Sequence, residues 1–209
     1  MANIVVKTHA ADVNKVHFQG VIVGRRENSA AVSVMMRVST KQGTRIYTNH
    51  PQLSVFDADL KAKVNALPLR VPVVVDGYIT SRKAENSENE VVARPLQSFI
   101  MTDIRPAAEG ETANVNEVEL IGSVERAYVS RGNVIHFIIV SFREGHYMKR
   151  IKVDYFTNKE KANYEEIIGM MISGTKLHIK GHCSTVTKEA SPQQDRDHEY
   201  IIVDEIERA

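Results

Sequence analysis

The chain contains 209 residues, of which 43% are hydrophobic and 25% are charged, and its formal net charge is +1. This composition excludes a largely disordered chain, and the lack of an apolar run of about 18 residues excludes a conventional membrane-spanning helix. The N-terminal sequence lacks the pattern of a secretory signal, so we expect a cytoplasmic protein. Cys183 is the only cysteine, which excludes an intrachain disulfide bond.

The two halves of the chain differ in charge. Residues 1–106 contain 14 Lys and Arg against 9 Asp and Glu, a balance of +5. Residues 107–209 contain 13 against 17, a balance of −4. An anionic partner is therefore expected to sense the first half more strongly than the second.

Alternating apolar residues predict strands along the first half. The alternation has period two at 16–20, at 32–38 and again at 71–79, which is typical of strands with one buried face. The glycine-poor stretch 54–67 lies between the last two and permits a helix.

The opening of the first half is repeated about a hundred residues later. Residues 14–20 read NKVHFQG and residues 116–122 read NEVELIG, which share the pattern Asn-x-Val-x-apolar-x-Gly. The same shift of 102 residues places 30–39 on 132–141, with a shared Val and a shared Ser in register.

The ends of the two halves also match. The shift of 102 residues places 99–106 on 201–208, and a drift of two residues places Gly77 over Gly181. Such self-similarity indicates one fold used in tandem. We predict an N-terminal domain at 14–106, a polar linker at 107–115 and a C-terminal domain at 116–209.

The second half has the same order of elements as the first. Alternation at 151–155 predicts a strand, and 157–173 permits a helix with Tyr164, Ile167 and Ile168 at helical spacing. Three strands, a helix and two strands are typical of the Greek-key OB fold, whose barrel binds oligonucleotides or sugars. We therefore predict an all-β protein of two tandem five-stranded OB barrels, each with a helix between its third and fourth strands.

These segments resemble the bacterial and phage single-stranded DNA-binding proteins. NKVHFQGVIVG and NEVELIGSVE are similar to that family's first strand, and VIHFIIVS is similar to its second. RIKVDYFTNKEKANYEEIIGMMISGTKLHIKG is similar to its third strand, helix and fourth strand, and VVVDGYITSRK to the strand that leads into its long DNA-contacting hairpin. The resemblance covers roughly 14–106 and 116–207. The family usually has Trp on its binding surface, whereas this chain has none, and Ala84 stands where the family often has it.

The resemblance implies that the protein binds single-stranded DNA with little sequence preference and protects it during DNA replication or recombination. It implies neither a cofactor nor an enzyme activity. Two barrels in one chain imply a homodimer where one-barrel members form tetramers, and replication or recombination proteins are further expected partners. The tandem form suggests a phage or plasmid origin, and so the cytoplasm of a bacterial or phage-infected cell.

Two alternatives stay open at this point. One is an OB-fold factor that binds RNA instead of DNA. The other is a protein-interaction or assembly module that has lost DNA binding, which is favoured by the acidic second copy, where Glu117 and Glu119 replace Lys15 and His17.

Binding of a single strand requires cations along the phosphates and flat side chains on which bases stack. In the second copy, Ile151, Val153 and Tyr155 alternate as core residues, so the residues between and beside them face outward. The resulting candidates are Arg150, Lys152 and Phe156. The family resemblance also places stacking aromatics at the first and last of these positions.

The first copy supplies a second set of candidates, which are Arg45, Tyr47, Tyr78, Arg82 and Lys83. The first two face outward if the intervening Ile46 points into the core. Tyr78 and Arg82 share the outward parity of a later strand, and Lys83 follows in the loop.

The second strand of each copy allows two interpretations. Simple alternation in 32–38 places Arg37 outside, and by the repeat it would expose Phe137. The family resemblance instead places Phe137 and Ile139 inside. Arg37 is a nucleic-acid-binding candidate because of its charge.

Other chemistry is not expected. His178, His182 and Cys183 are neighbours in sequence but lack further ligands at metal-binding spacing. The stretch 169–176 differs from a phosphate-binding loop because its Lys follows Thr and because it ends a helix. No motif combines a nucleophile, a base and an orienting group, so we predict no enzyme activity.

Overall fold

A computed structural model describes residues 11–42, 44–85, 91–111, 114–130, 134–141, 149–157, 163–186 and 198–209, without the side chains of 40–42, 82–85, 91–96, 186 and 198. The elements of the first half are β1 (Val13–Glu27), β2 (Val32–Gln42), β3 (Arg45–Asn49), β4 (Gln52–Val55), α1 (Ala58–Ala66), β5 (Pro72–Glu85) and β6 (Val91–Pro106). Those of the second half are β7 (Val115–Val129), β8 (Val134–Ser141), β9 (Lys149–Phe156), α2 (Tyr164–Met170), β10 (Lys176–Val186) and β11 (His198–Arg208).

The strands of each half close into a barrel. In the first half β1 pairs with β2, β2 with β4, β4 with β6, β6 with β5, and β5 again with β1. In the second half β7, β8, β9, β11 and β10 close in the same order. The pairs β4–β6 and β9–β11 are parallel, as closure of a Greek-key barrel requires. The predicted pair of five-stranded OB barrels with one helix each is confirmed, with the first copy's third strand divided into β3 and β4.

The repeated Asn of the opening motif binds the backbone of the fourth strand. Asn14 donates its Nδ2 to the carbonyl of Ile79 (2.8 Å) and accepts the N–H of Ile79 through Oδ1 (2.9 Å). Asn116 makes the same two bonds with Cys183, at 2.8 and 2.9 Å. Each buried amide thus extends the strand pairing beyond its last backbone hydrogen bond.

The repeated Gly of the motif allows two strands to approach closely. A Cβ on Gly20 would lie 2.2 Å from the carbonyl oxygen of Arg37, and one on Gly122 would lie 2.5 Å from that of Val140. No side chain fits at either position without moving the backbone. The motif therefore specifies the junction of the first, second and fourth strands in each barrel.

The interior of each barrel is filled by alternate residues of its strands. Phe18 and Phe99 form an edge-to-face contact with ring centroids 5.3 Å apart in the first barrel. The helices add Leu60 and Val64 to this core and Ile167 to that of the second barrel. No helix in the described part of the chain is long and apolar enough to cross a membrane.

The structure shows which of the two interpretations of the second strand is correct. Phe137 is buried (1% exposed), as is Ile139, so the interpretation from the family resemblance is correct. The repeat fails here because Glu27 pairs with Val32 whereas Val129 pairs with Ile135. The first hairpin of the second copy is one residue longer, which reverses the in-out parity relative to the shift of 102 residues.

The two barrels are joined through their first strands. β1 and β7 pair antiparallel from Val13 opposite Ile121 to Gln19 opposite Val115. The centre of this pairing is Val16 opposite Val118, which are equivalent residues of the two copies. The barrels are therefore related by a local two-fold axis that passes between these two valines.

Candidate nucleic-acid interface

The outer face of the second barrel contains the candidates predicted on β9. Ile151 and Val153 are fully buried, and Phe156 is 57% exposed, so the predicted parity of this strand is correct. Arg150 is exposed and its Nε lies 2.7 and 3.0 Å from the two carboxylate oxygens of Glu125. A solvated pair of this kind is worth about 0–1 kcal/mol, so the guanidinium can exchange this partner for a phosphate.

Lys152 has the outward parity that the sequence predicts, but its side chain is largely covered. Its side chain is only 13% exposed, with Nζ 3.4 Å from Asp154 Oδ1 and 5.3 Å from the ring centroid of Tyr200. Tyr200 of β11 lies beside the ammonium, a contact that strand parity does not encode. The ammonium therefore lies between a carboxylate and an aromatic ring.

A histidine shares the same carboxylate. Nδ1 of His136 donates to Asp154 Oδ1 at 2.7 Å, and the Asp154 side chain is 6% exposed. The His136 ring also lies on Tyr128, with centroids 4.9 Å apart and planes inclined by 32°. Tyr128 is 50% exposed, so this face has a second accessible ring besides Phe156.

The first barrel places its candidates in two regions. Arg37 is exposed on β2, and Arg45 and Tyr47 are exposed on β3, with Tyr47 at 44%. Ile46 is 71% exposed, so the condition that it points into the core was wrong. Among the described strands β3 pairs only with β2, and the two form a ribbon beside the barrel. The residues of β3 are exposed except Asn49, which is buried and accepts the N–H of Thr185 from the second barrel.

The candidates on β5 lie apart from that ribbon. Tyr78 is half-buried and lines a groove of about 980 Å³ that crosses the junction of the two barrels beside Lys15 and Glu119. The backbone of Arg82 and Lys83 belongs to β5, but their side chains lie outside the described residues.

Sequence reasoning missed Phe56. Val55 pairs with Val32 as Tyr155 pairs with Ile135, so Phe56 is the first-barrel equivalent of Phe156. The two rings are 56% and 57% exposed. A shift of 100 residues would have aligned them, but the broken third strand of the first copy conceals that register.

The same alignment shows that the two outer faces differ in charge. His50, Gln52 and Ser54 stand where the second barrel has Arg150, Lys152 and Asp154. Gln52 donates its Nε2 to the hydroxyl of Ser33, the equivalent of His136. The first barrel therefore has a neutral network where the second has a charged one.

The histidines of β10 contact carboxylates instead of one another. His178 has Nε2 3.0 Å from Glu119 Oε1 and Nδ1 3.0 Å from Glu207 Oε1, while His182 Nδ1 lies 2.8 Å from Asp204 Oδ2. Within the described ranges, no three His, Cys, Asp or Glu side chains converge in a way that could hold a metal. Cys183 is fully buried, and burial raises the pKa of its thiol well above the ordinary value.

Comparison with solved structures identifies proteins of the same fold. The wild-type single-stranded DNA binding protein of Thermus aquaticus matches with a TM-score of 0.69 and 15% identity, covering 96% of this chain and 94% of that chain. A deletion mutant of the Thermus protein matches with a TM-score of 0.69 and 14% identity, covering 95% of each chain. No family model matches the sequence, and no curated protein does. The chain therefore has the tandem-barrel fold of these single-stranded DNA-binding proteins.

Proposed function

We propose that this protein binds single-stranded DNA with little sequence preference and protects it during DNA replication or recombination. It acts as a binding protein without a cofactor or a chemical step. Its domains are 14–106 and 116–209, joined by 107–115, and it works as a homodimer in the cytoplasm of a bacterial or phage-infected cell.

The observation that carries this proposal is the matched pair of exposed rings, Phe56 and Phe156. Each ring leaves the end of the third strand at the same position of its barrel, where more than half of its surface meets water. Folding gains little from such a side chain, whereas a base stacked on it gains about 1–3 kcal/mol. Arg150 and Lys152 lie on the same strand as Phe156, and Arg37 and Arg45 lie on the β2–β3 ribbon.

The fold likeness supports the same conclusion. The two Thermus structures are named as single-stranded DNA binding proteins, and their coverage includes both barrels of this chain. Stacking on Phe and Tyr would replace the Trp that this sequence lacks. The binding residues under this proposal are those predicted from the sequence, with Phe56 added: Arg37, Arg45, Tyr47, Phe56, Tyr78, Arg82, Lys83, Arg150, Lys152 and Phe156.

A second function, an assembly module without DNA binding, is favoured by one observation. Both predicted cations of β9 already have carboxylate partners, Glu125 for Arg150 and Asp154 for Lys152. If these pairs hold against phosphate, the outer face has little positive charge to offer a strand.

Competition binding separates these functions. A fluorescein-labelled oligo-dT of about 30 nucleotides is titrated with the protein and followed by anisotropy, and duplex DNA or oligo-U of the same length is then added. We expect saturable binding that neither competitor displaces at equal nucleotide concentration. Displacement by oligo-U would favour an RNA-binding factor, and no binding at low salt would favour the assembly module.

A further inference from the structure

The hairpin formed by β5 and β6 of the first barrel lies against β9 of the second barrel. The backbone N–H of Arg150 donates to Ser81 Oγ at 3.2 Å, and the backbone N–H of Lys152 donates to Gln97 Oε1. Ser81 and Gln97 face each other in register across the hairpin. Side chains of the first barrel thus bind two edge groups of the strand that carries the second barrel's cations.

The reverse contact has the same design. The N–H of His50 donates to Thr185 Oγ1 at 2.8 Å, and that of Gln52 donates to Glu199 Oε1 at 2.7 Å. Thr185 and Glu199 also face each other, in the hairpin of β10 and β11. These residues are equivalent to those of the first contact, so each barrel's long hairpin binds the third strand of the other barrel.

The two contacts differ in charge. At the first, Lys149, Arg150 and Lys152 on β9 meet the neutral Ser81 and Gln97. At the second, the equivalent strand residues are Asn49, His50 and Gln52, and the hairpin brings the carboxylate of Glu199. Arg150 and Lys152 pair with Glu125 and Asp154, so the first contact keeps one net positive charge, whereas Glu199 makes the second contact negative. A phosphate backbone is therefore attracted more strongly to the first contact than to the second.

We infer that the main binding site for single-stranded DNA is shared by the two barrels. The Phe156 face of the second barrel is completed by the β5–β6 hairpin of the first. This inference rests on the proposed function. Arg82 and Lys83 follow Ser81 directly in β5, so the hairpin that carries them belongs to the site of the opposite barrel. The C-terminal half, whose overall charge balance is negative, therefore contains the more cationic third strand, β9. The hairpin that contacts β9 comes from the N-terminal half, whose balance is positive.

A double-mutant cycle tests this assignment, because Phe56 and Phe156 form a matched pair. The variant Ser81→Ala/Gln97→Ala removes both hairpin acceptors without changing charge. It is combined with Phe156→Ala and, separately, with Phe56→Ala, and the Kd for oligo-dT is measured for all. Loss of one stacked base lowers affinity about 5–150-fold. When the hairpin variant is combined with Phe156→Ala, we expect the total loss of affinity to be at least about threefold smaller than the product of the two separate losses. When it is combined with Phe56→Ala, we expect the total loss to equal that product.

The opposite pattern overturns the shared site. Suppose that the affinity losses of the hairpin variant and Phe156→Ala multiply fully, or that the hairpin variant is coupled to Phe56→Ala instead. Each hairpin then contributes to DNA binding at its own barrel, and the proposed DNA-binding function still stands. A wild-type protein that binds no oligomer refutes both proposals. Circular dichroism and thermal unfolding of each variant verify that it is folded.

A second measurement needs no change in the hairpin. Lysine acetylation of the full chain is followed by mass spectrometry with and without a short oligo-dT of about eight nucleotides. We expect Lys83 and Lys149 to be protected together, to lose protection together in Phe156→Ala, and to keep it in Phe56→Ala. Protection of Lys83 that survives Phe156→Ala contradicts the shared site.

Discussion

Replacement of Asn14 by Ala tests what the repeated opening motif does in each barrel. The buried amide satisfies both the N–H and the carbonyl of Ile79. Its loss leaves two buried backbone groups without this partner, at about 1–3 kcal/mol each. We expect Asn14→Ala to lower the free energy of unfolding by about 2–6 kcal/mol, and Tm by roughly 4–24 °C at this chain length.

Urea unfolding followed by circular dichroism measures this loss. Asn116→Ala removes the equivalent pair of bonds to Cys183 and should cost a similar amount. Asn65→Ala is the control, because Asn65 is exposed and its amide lies 3.4 Å from Glu27 Oε2. A loss below about 0.5 kcal/mol for both Asn14→Ala and Asn116→Ala would refute the structural role of the motif.

Three further predictions concern charge, close packing and pH. Arg150→Ala should leave the free energy of unfolding within about 0.5 kcal/mol of wild type, since its pair with Glu125 is solvated. It should weaken oligo-dT binding and reduce the magnitude of the salt slope by about 0.7; an unchanged slope excludes Arg150 from phosphate contact. Gly122→Ala should destabilise by about 1–3 kcal/mol in urea unfolding because its Cβ would lie 2.5 Å from Val140 O, whereas Gly24→Ala, with its nearest neighbour at 3.9 Å, should be tolerated; equal effects would contradict the close approach. Hydrogen bonds from Arg105, aided by the Ala108 N–H, lower the pKa of Glu111 from 4.5 to about 2. The stability that ionised Glu111 contributes to the fold should therefore be fully present above about pH 4.5 and be lost as the pH falls toward 2. The stability difference between wild type and Glu111→Gln should therefore shrink over that range, and a difference that grows on acidification would be the wrong sign.

The barrel order could be predicted because the sequence repeats its local rules. Alternation identified the strands, and the motif that ends in Gly20 and Gly122 recurs because both barrels need the same close strand crossing. Phe156 was predicted to be outward because its strand has a regular period of two. These features depend on neighbours in sequence, which a single chain displays directly.

The errors arose where contacts between residues far apart in the sequence determine whether a side chain is exposed or buried. One extra residue in the β7–β8 hairpin reversed the parity of the second strand and obscured the burial of Phe137. Ile46 is exposed because β3 continues beyond the barrel, and the Lys152 ammonium lies beside Tyr200, which comes from another strand. The contacts of Ser81 and Gln97 with β9 are side-chain bonds to backbone groups, which leave no periodic pattern in the sequence.

The salt dependence of oligo-dT binding tests the central claim most directly. Each phosphate neutralised on a single strand contributes about −0.7 to the slope of log K against log salt. Engagement of Arg37, Arg45 and Arg150 alone predicts a slope of about −2, and further cations make it steeper. Saturable binding with such a slope is the result that the account predicts. A slope near zero, or binding that survives removal of Arg45, Arg82, Arg150 and Lys152 together, would contradict it.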